Sequence, residues 1–151
     1  MSGSLSTDNE VFRVYLAYSA LAVLKLLAMS SLTSFNRVSR KVYDNLEDAK
    51  LGGPDAHKFV RKDPFIERIR RCHLNDLENI VPFLIIGILY VLTGPSVYAA
   101  TWHFRIFVVS RFIHMFAYLA QLPQPSRVTA MYIGWCATAS MAVQCLQAGQ
   151  Y

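Results

Sequence analysis

Four stretches of this chain stay apolar for long enough to cross a lipid bilayer, and no other feature limits its fold as tightly. A spanning helix needs about 20 residues at a rise of 1.5 Å each. The candidates occupy residues 11–35 (VFRVYLAYSALAVLKLLAMSSLTSF), 74–92, 97–122 (VYAATWHFRIFVVSRFIHMFAYLAQL) and 128–148 (VTAMYIGWCATASMAVQCLQA). At 54% hydrophobic and 13% aromatic residues with a mean hydropathy of +0.29, the 151 residues are more apolar than a soluble domain of that length. The formal charge of +5 and pI ≈ 9.3 would suit a nucleic-acid binder only if the cations were gathered on one accessible surface. Most lie instead between Arg37 and Arg71, interleaved with Asp44, Glu47, Asp48, Asp55, Asp63 and Glu67. That is a mixed-charge loop, and no nucleic-acid partner is expected.

The expected fold is an all-α membrane protein, a single membrane-embedded four-helix domain over residues 1–151 with a loop at 36–73. TGPS and LPQPSR form the two short links, which favour antiparallel neighbours in one bundle. Lys and Arg are retained in the cytosol, so the large loop and the link bearing Arg127 face that side and both termini lie opposite. The polar, acidic start MSGSLSTDNE lacks the basic region of a cleaved signal, so the first span is expected to remain as an anchor.

The stretch RIRRCHLNDLENIVPF (Arg68–Phe83) stacks its polar residues at one end and then turns apolar on every side, as a helix entering lipid would. Arg71, Asn75 and Glu78 fall within about 60° of one another on a helix, with Arg70 and His73 on an adjoining face. In the third span His103, Phe107, Arg111, His114 and Tyr118 share about 80° of arc, while Arg105 points elsewhere. Arg111 cannot be neutralised and needs a partner. Two arrangements stay open: an interhelical pair of Glu78 with Arg111 that holds the bundle together, or a cationic pocket at its cytosolic end suited to a small zwitterion with surplus negative charge. Lys25, in the middle of the first span, is open to snorkelling or to a bundle-facing ion pair.

Cys72, Cys136 and Cys145 have neither CxxC spacing nor an even count, and read as small apolar fillers. His57, His73, His103 and His114 include no HExxH or i,i+4 pair, so no metal site is expected, and no phosphate loop, dinucleotide fingerprint or nucleophile elbow occurs.

HLNDLENIVPF, together with HFRIF at His103–Phe107, the R-x-x-H-x-x-x-Y face from Arg111 to Tyr118, and LPQPSR ending at Arg127, resembles the microsomal glutathione transferase family of membrane-associated proteins in eicosanoid and glutathione metabolism. The likeness runs in order from DNEV near Asp8 through Ser140. It implies a four-helix protomer, a homotrimer, endoplasmic-reticulum or outer mitochondrial membrane, and glutathione bound between protomers at the cytosolic side. Residue by residue, it assigns glutathione contacts to Arg37, Arg70, Arg71, His73, Asn75, Glu78, Arg111, Tyr118 and Arg127, with Arg127 and Tyr118 as the catalytic pair. The residue types suit the ligand: two carboxylates want arginine forks, and Glu78 is the natural acceptor for the ammonium. The resemblance further implies hydrophobic electrophiles or lipid hydroperoxides arriving from the bilayer. Two alternatives accompany it, a glutathione-dependent prostaglandin endoperoxide isomerase and a non-enzymatic lipid-presenting scaffold. EDAKLGGP, with Asp48, resembles the prostaglandin E synthase branch, but that branch places Ser directly after the loop arginine, where this chain has Val128. Ala49 stands where some members have Cys, so activation by thiol modification there is not expected.

Overall fold

The computed structural model describes residues 5–149; the first four residues of the MSGSLSTDNE segment and the last two of the chain lie outside the described residues. Four long helices, α1 (Glu10–Arg40), α3 (Pro64–Leu92), α4 (Val97–Leu119) and α5 (Ser126–Gly149), are accompanied by the short α2 (Leu46–Ala49) and two single 3-10 turns. Among the described residues the regular structure is helical, apart from one isolated bridge between Tyr43 and Val60.

Each long helix buries a stripe at alternating spacings of three and four residues. In α1 the stripe includes Val11, Tyr15, Ala22, Lys25 and Met29; in α4, Ala100, Phe104, Phe107, Arg111 and His114; in α5, Ala130, Gly134, Ala137 and Met141. This repeat keeps one seam facing the neighbour along helices packed at small angles. The seams meet in an aromatic core where Phe83 stacks on Phe107 at 3.9 Å between centroids, and Tyr15 and Tyr90 both set their rings edgewise to Phe104. The Tyr15 hydroxyl donates to the Leu84 carbonyl at 2.8 Å, tying α1 to α3. Where α5 crosses α4 the backbones come so close that a Cβ on Gly134 would sit 2.7 Å from Ser110 Oγ.

Outside the seams the helices are apolar and bare: Leu24, Leu27, Ile85, Phe116, Trp135 and Leu146 are all exposed. Such continuous apolar surface marks contact with lipid or protein. α1 and α3 are each long and apolar enough to cross a membrane by length and composition. α4 and α5 are shorter, at 23 and 24 residues.

Helices extend beyond the expected spans. α1 continues to Arg40, and α3 begins at Pro64 instead of near residue 74. Pro64 stands in the first turn, and the Asp63 carboxylate accepts from the Phe65 and Ile66 N–H groups at 2.8 and 3.1 Å. This cap starts the helix ahead of the apolar run, so the polar half of α3 stands as ordered helix above it. The expected 36–73 loop contracts to the segment between Arg40 and Pro64, folded on itself around Tyr43, Ala49, Ala56 and Phe59. Gly94, at φ +69°, supplies the left-handed turn between α3 and α4 that TGPS foreshadows.

Candidate functional site

The chain direction brings the end of α1, the start of α3, the end of α4 and the start of α5 to one end of the bundle, which carries Arg37, Arg70, Arg71, His73, Tyr118 and Arg127, whereas Asn75, Glu78 and Arg111 lie deeper, near the level of the Lys25–Asp76 pair. The helical period of α3 then sorts its polar residues. Cys72, Asp76 and Asn79 turn inward, Arg70 and His73 turn toward α1, and Arg71 and Glu78 face outward.

Between α1 and α3, Arg37, Arg70 and His73 line a cavity of about 350 Å³ together with Ser30, Thr33 and Asp44. The Arg37 guanidinium is ion-paired with Asp44, while Arg70 lies 3.8 Å from the same carboxylate and 2.9 Å from Glu67. His73 Nδ1 is buried in the protomer without a hydrogen-bond partner.

At the junction of α4 and α5 the Arg127 guanidinium lies over the Tyr118 ring at 4.9 Å, a cation–π geometry, and the Tyr118 ring is 5.6 Å from that of His114. Arg127 Nε is also buried without a partner. Asn75 reaches across the bundle, accepting from Arg111 Nη2 at 2.7 Å and placing its amide nitrogen 3.8 Å from Met131 Sδ.

Arg111 does not pair with Glu78. Its Nε and Nη2 donate to Asp76 Oδ1 at 3.1 and 2.8 Å, and the other oxygen of Asp76 is ion-paired with Lys25. All three side chains are essentially inaccessible, at 1% for Lys25 and Arg111 and 0% for Asp76. The physical reason is register: Asp76 lies on the same face of α3 as Ile69, Cys72 and Phe83, whereas Glu78 is roughly 160° around the helix from it. Glu78 is exposed and heads an apolar cleft of about 420 Å³ between α3 and α5, with Asn79, Pro82, Tyr132, Trp135 and Cys136. Lys25 is therefore a bundle-facing ion-pair partner, not a snorkelling residue. The sequence singles out Lys25 but neither Asp76 nor Asp44 as its counterpart or as a site residue, although Asp76 is the charge that falls on the buried stripe of α3.

The nine candidate residues thus occupy different faces of one protomer. Arg37, Arg70 and His73 share a cavity; Arg127 and Tyr118 form a second group; Arg71 and Glu78 face outward; and Arg111 is enclosed beneath Asn75. Farther along α4, His103 Nε2 lies 3.0 Å from Ser140 Oγ and its Nδ1 2.9 Å from the Ala99 carbonyl, away from these groups. Arg105, as its helical position required, points off the shared face and donates to the Tyr18 hydroxyl at 3.0 Å.

Residues 15–147 match the MAPEG family. The chain belongs to that family. It is a helical membrane protein, and 95% of its length aligns with mouse microsomal glutathione S-transferase 1 at 51% identity, covering 94% of that relative. The human microsomal glutathione S-transferase 1 is 46% identical over the same shares of both chains. Human prostaglandin E synthase is more distant, at 38% identity across 95% of this chain and 93% of its own.

Proposed function

We propose that this MAPEG protein is a membrane-bound glutathione transferase, an enzyme that joins the glutathione thiolate to hydrophobic electrophiles and reduces lipid hydroperoxides with the same thiol. The observation that carries the reading is the 46–51% identity to microsomal glutathione S-transferase 1, end to end, against 37–38% to the prostaglandin E synthases. The gathering of cationic side chains at one end of an otherwise apolar bundle agrees with it.

In this reading all four long helices span the membrane, the protein is a homotrimer, and the cationic end faces the cytosol from the endoplasmic reticulum or outer mitochondrial membrane. What supports a shared site is the division of the expected residues among separate faces. The Arg37–Arg70–His73 cavity of one protomer, set against the Arg71, Glu78, Tyr118 and Arg127 side of the next, would complete the set that a single protomer divides. The arginines take the two carboxylates of glutathione and Glu78 takes its ammonium. Asn75 is oriented by Arg111.

A free thiol has a pKa near 8.5, and lowering it by two units requires about 2.7 kcal/mol of thiolate stabilisation. One or two cations or donors in a partly dry site can supply that amount. Arg127 is assigned the charge and the Tyr118 hydroxyl the hydrogen bond. The thiolate then attacks an electrophilic carbon and a halide leaves, or adds to an unsaturated carbonyl that takes up a proton. With a hydroperoxide it attacks the distal oxygen, releasing the alcohol and a sulfenic acid that a second glutathione converts to the disulfide and water.

Detergent-purified protein assayed side by side with glutathione plus an aromatic halide, a lipid hydroperoxide or a prostaglandin endoperoxide decides the matter. Turnover of the first two is expected; exclusive isomerisation of the third would replace this reading with the isomerase.

A further inference from the structure

Part of the cationic cavity is already filled by the protein itself. Lys41 ends α1 in the left-handed region at φ 51°, and the Val42 N–H returns to the Arg37 carbonyl at 3.0 Å. This turn folds the chain back over the last turn of the helix and brings Asp44 onto Arg37, with Arg70 3.8 Å away. A carboxylate set between two guanidinium groups is the arrangement that a carboxylate of glutathione would itself seek.

We propose that Asp44 is an internal competitor, a side chain that occupies the fork of Arg37 and Arg70 and so sets the affinity for the anionic cosubstrate. The inference rests on the reading that this fork takes glutathione. Two observations support competition over a fixed structural role. Asp44 is 39% exposed and lies on a loop, so it can swing into water, whereas Arg70 keeps a second anchor in Glu67 at 2.9 Å. The same cavity also contains His73, whose Nδ1 is buried and has no hydrogen-bond partner, so Asp44 satisfies the arginines and leaves the imidazole unserved. A ligand with more than one polar group would reach both.

The test is Asp44→Asn, with Asp55→Asn as the control of equal charge in the same loop, since Asp55 pairs with Lys58 at 2.7 Å and does not line the cavity. KM for glutathione and its Kd by titration calorimetry are measured in detergent at low and high salt. Asp44→Asn should lower both by about two- to five-fold, the range for freeing a partly exposed ion pair. Asp55→Asn should leave them unchanged. The gain should shrink in high salt, which already screens the Asp44 contact. Weaker or unaltered glutathione binding in Asp44→Asn would overturn the proposal by making Asp44 an organiser of the arginines. An equal gain in both variants would overturn it by assigning the effect to net charge. Failure of the unmodified protein to bind glutathione would remove the parent reading as well, a result separable from either.

Discussion

Replacing Asp76 by Asn leaves the shape of the α1–α3–α4 seam almost intact and removes the one buried acid among the described residues. Asp76, Lys25 and Arg111 carry a net charge of +1 in a region where the three side chains are 0–1% exposed. With Asn at position 76, two cations face only the neutral amides of residues 75 and 76. Removing one partner of a buried ion pair costs about 3–5 kcal/mol, since the remaining charge has neither water nor counter-ion. At about 2–4 °C per kcal/mol for a chain of this size, Tm should fall by roughly 6–20 °C. Lys25→Met is predicted to behave differently. It removes the surplus cation, leaves the Asp76–Arg111 pair neutral with its bonds at 2.8 and 3.1 Å, and fills the space with a flexible apolar chain. Its cost should stay below about 1.5 kcal/mol, the scale of one hydrogen bond. The double variant should be more stable than Asp76→Asn alone, because one unpaired cation remains instead of two. Melting followed by intrinsic fluorescence in detergent reads all three. Equal losses for both single variants, or a double variant at the sum of the singles, would refute the charge count.

Arg127→Ala should leave glutathione binding measurable while the ultraviolet thiolate absorbance of the complex and kcat fall about ten-fold or more, as expected for loss of one electrostatic stabiliser; unchanged thiolate and turnover would remove Arg127 from that role. Gly87→Ala would place a methyl 2.7 Å from Tyr15 Cε2, and Tyr15 is held by its bond to Leu84, so a loss of about 1–3 kcal/mol is expected in the same melting assay. The backbone N–H of Ile66, then that of Phe65 and the Arg40 guanidinium, hold the Asp63 carboxyl below its ordinary pKa. A lowered native pKa means that this contribution is complete above the unfolded value and fades as acid protonates the native carboxylate. Asp63→Asn, which still caps, should keep most of the neutral-pH stability and flatten the acid limb of a Tm–pH profile; an unchanged acid limb would show that Asp63 does not contribute to it.

The helices and their order were legible because the length of an apolar run and the Gly-Pro and Pro-rich links are local signals. The start of α3 is marked locally by Asp63-Pro64, but the turns before Leu74 are polar and carry no signal of a lipid span, so an ordered helical extension has the composition of a loop. The polar face of α4 was found correctly, with Arg111 and His114 inward and His103 and Tyr118 at its edges. The partner of Arg111 was not: Glu78, one of the two arrangements left open, suits the chemistry, but helical phase sets Asp76 and not Glu78 on the buried face of α3. Asp44 could not be anticipated: a left-handed Lys41 is needed to fold it back, and Lys carries none of the preference for that conformation that Gly does.

The length of α1 turns a small rotation into a large displacement at the cavity. Arg37 stands twelve residues beyond the Lys25–Asp76 pair, about 18 Å along the axis, so pivoting the helix by about 5° there moves the guanidinium by roughly 1.6 Å. That exceeds the tolerance of about 0.5 Å within which binding groups must be held. A helix of 31 residues answers a change in hydrocarbon thickness by leaning. Bilayer thickness should therefore act as a tuning screw on the gap between Arg37 and Arg70, and a glutathione KM that stays constant across vesicles of graded acyl length would show that the pivot is locked.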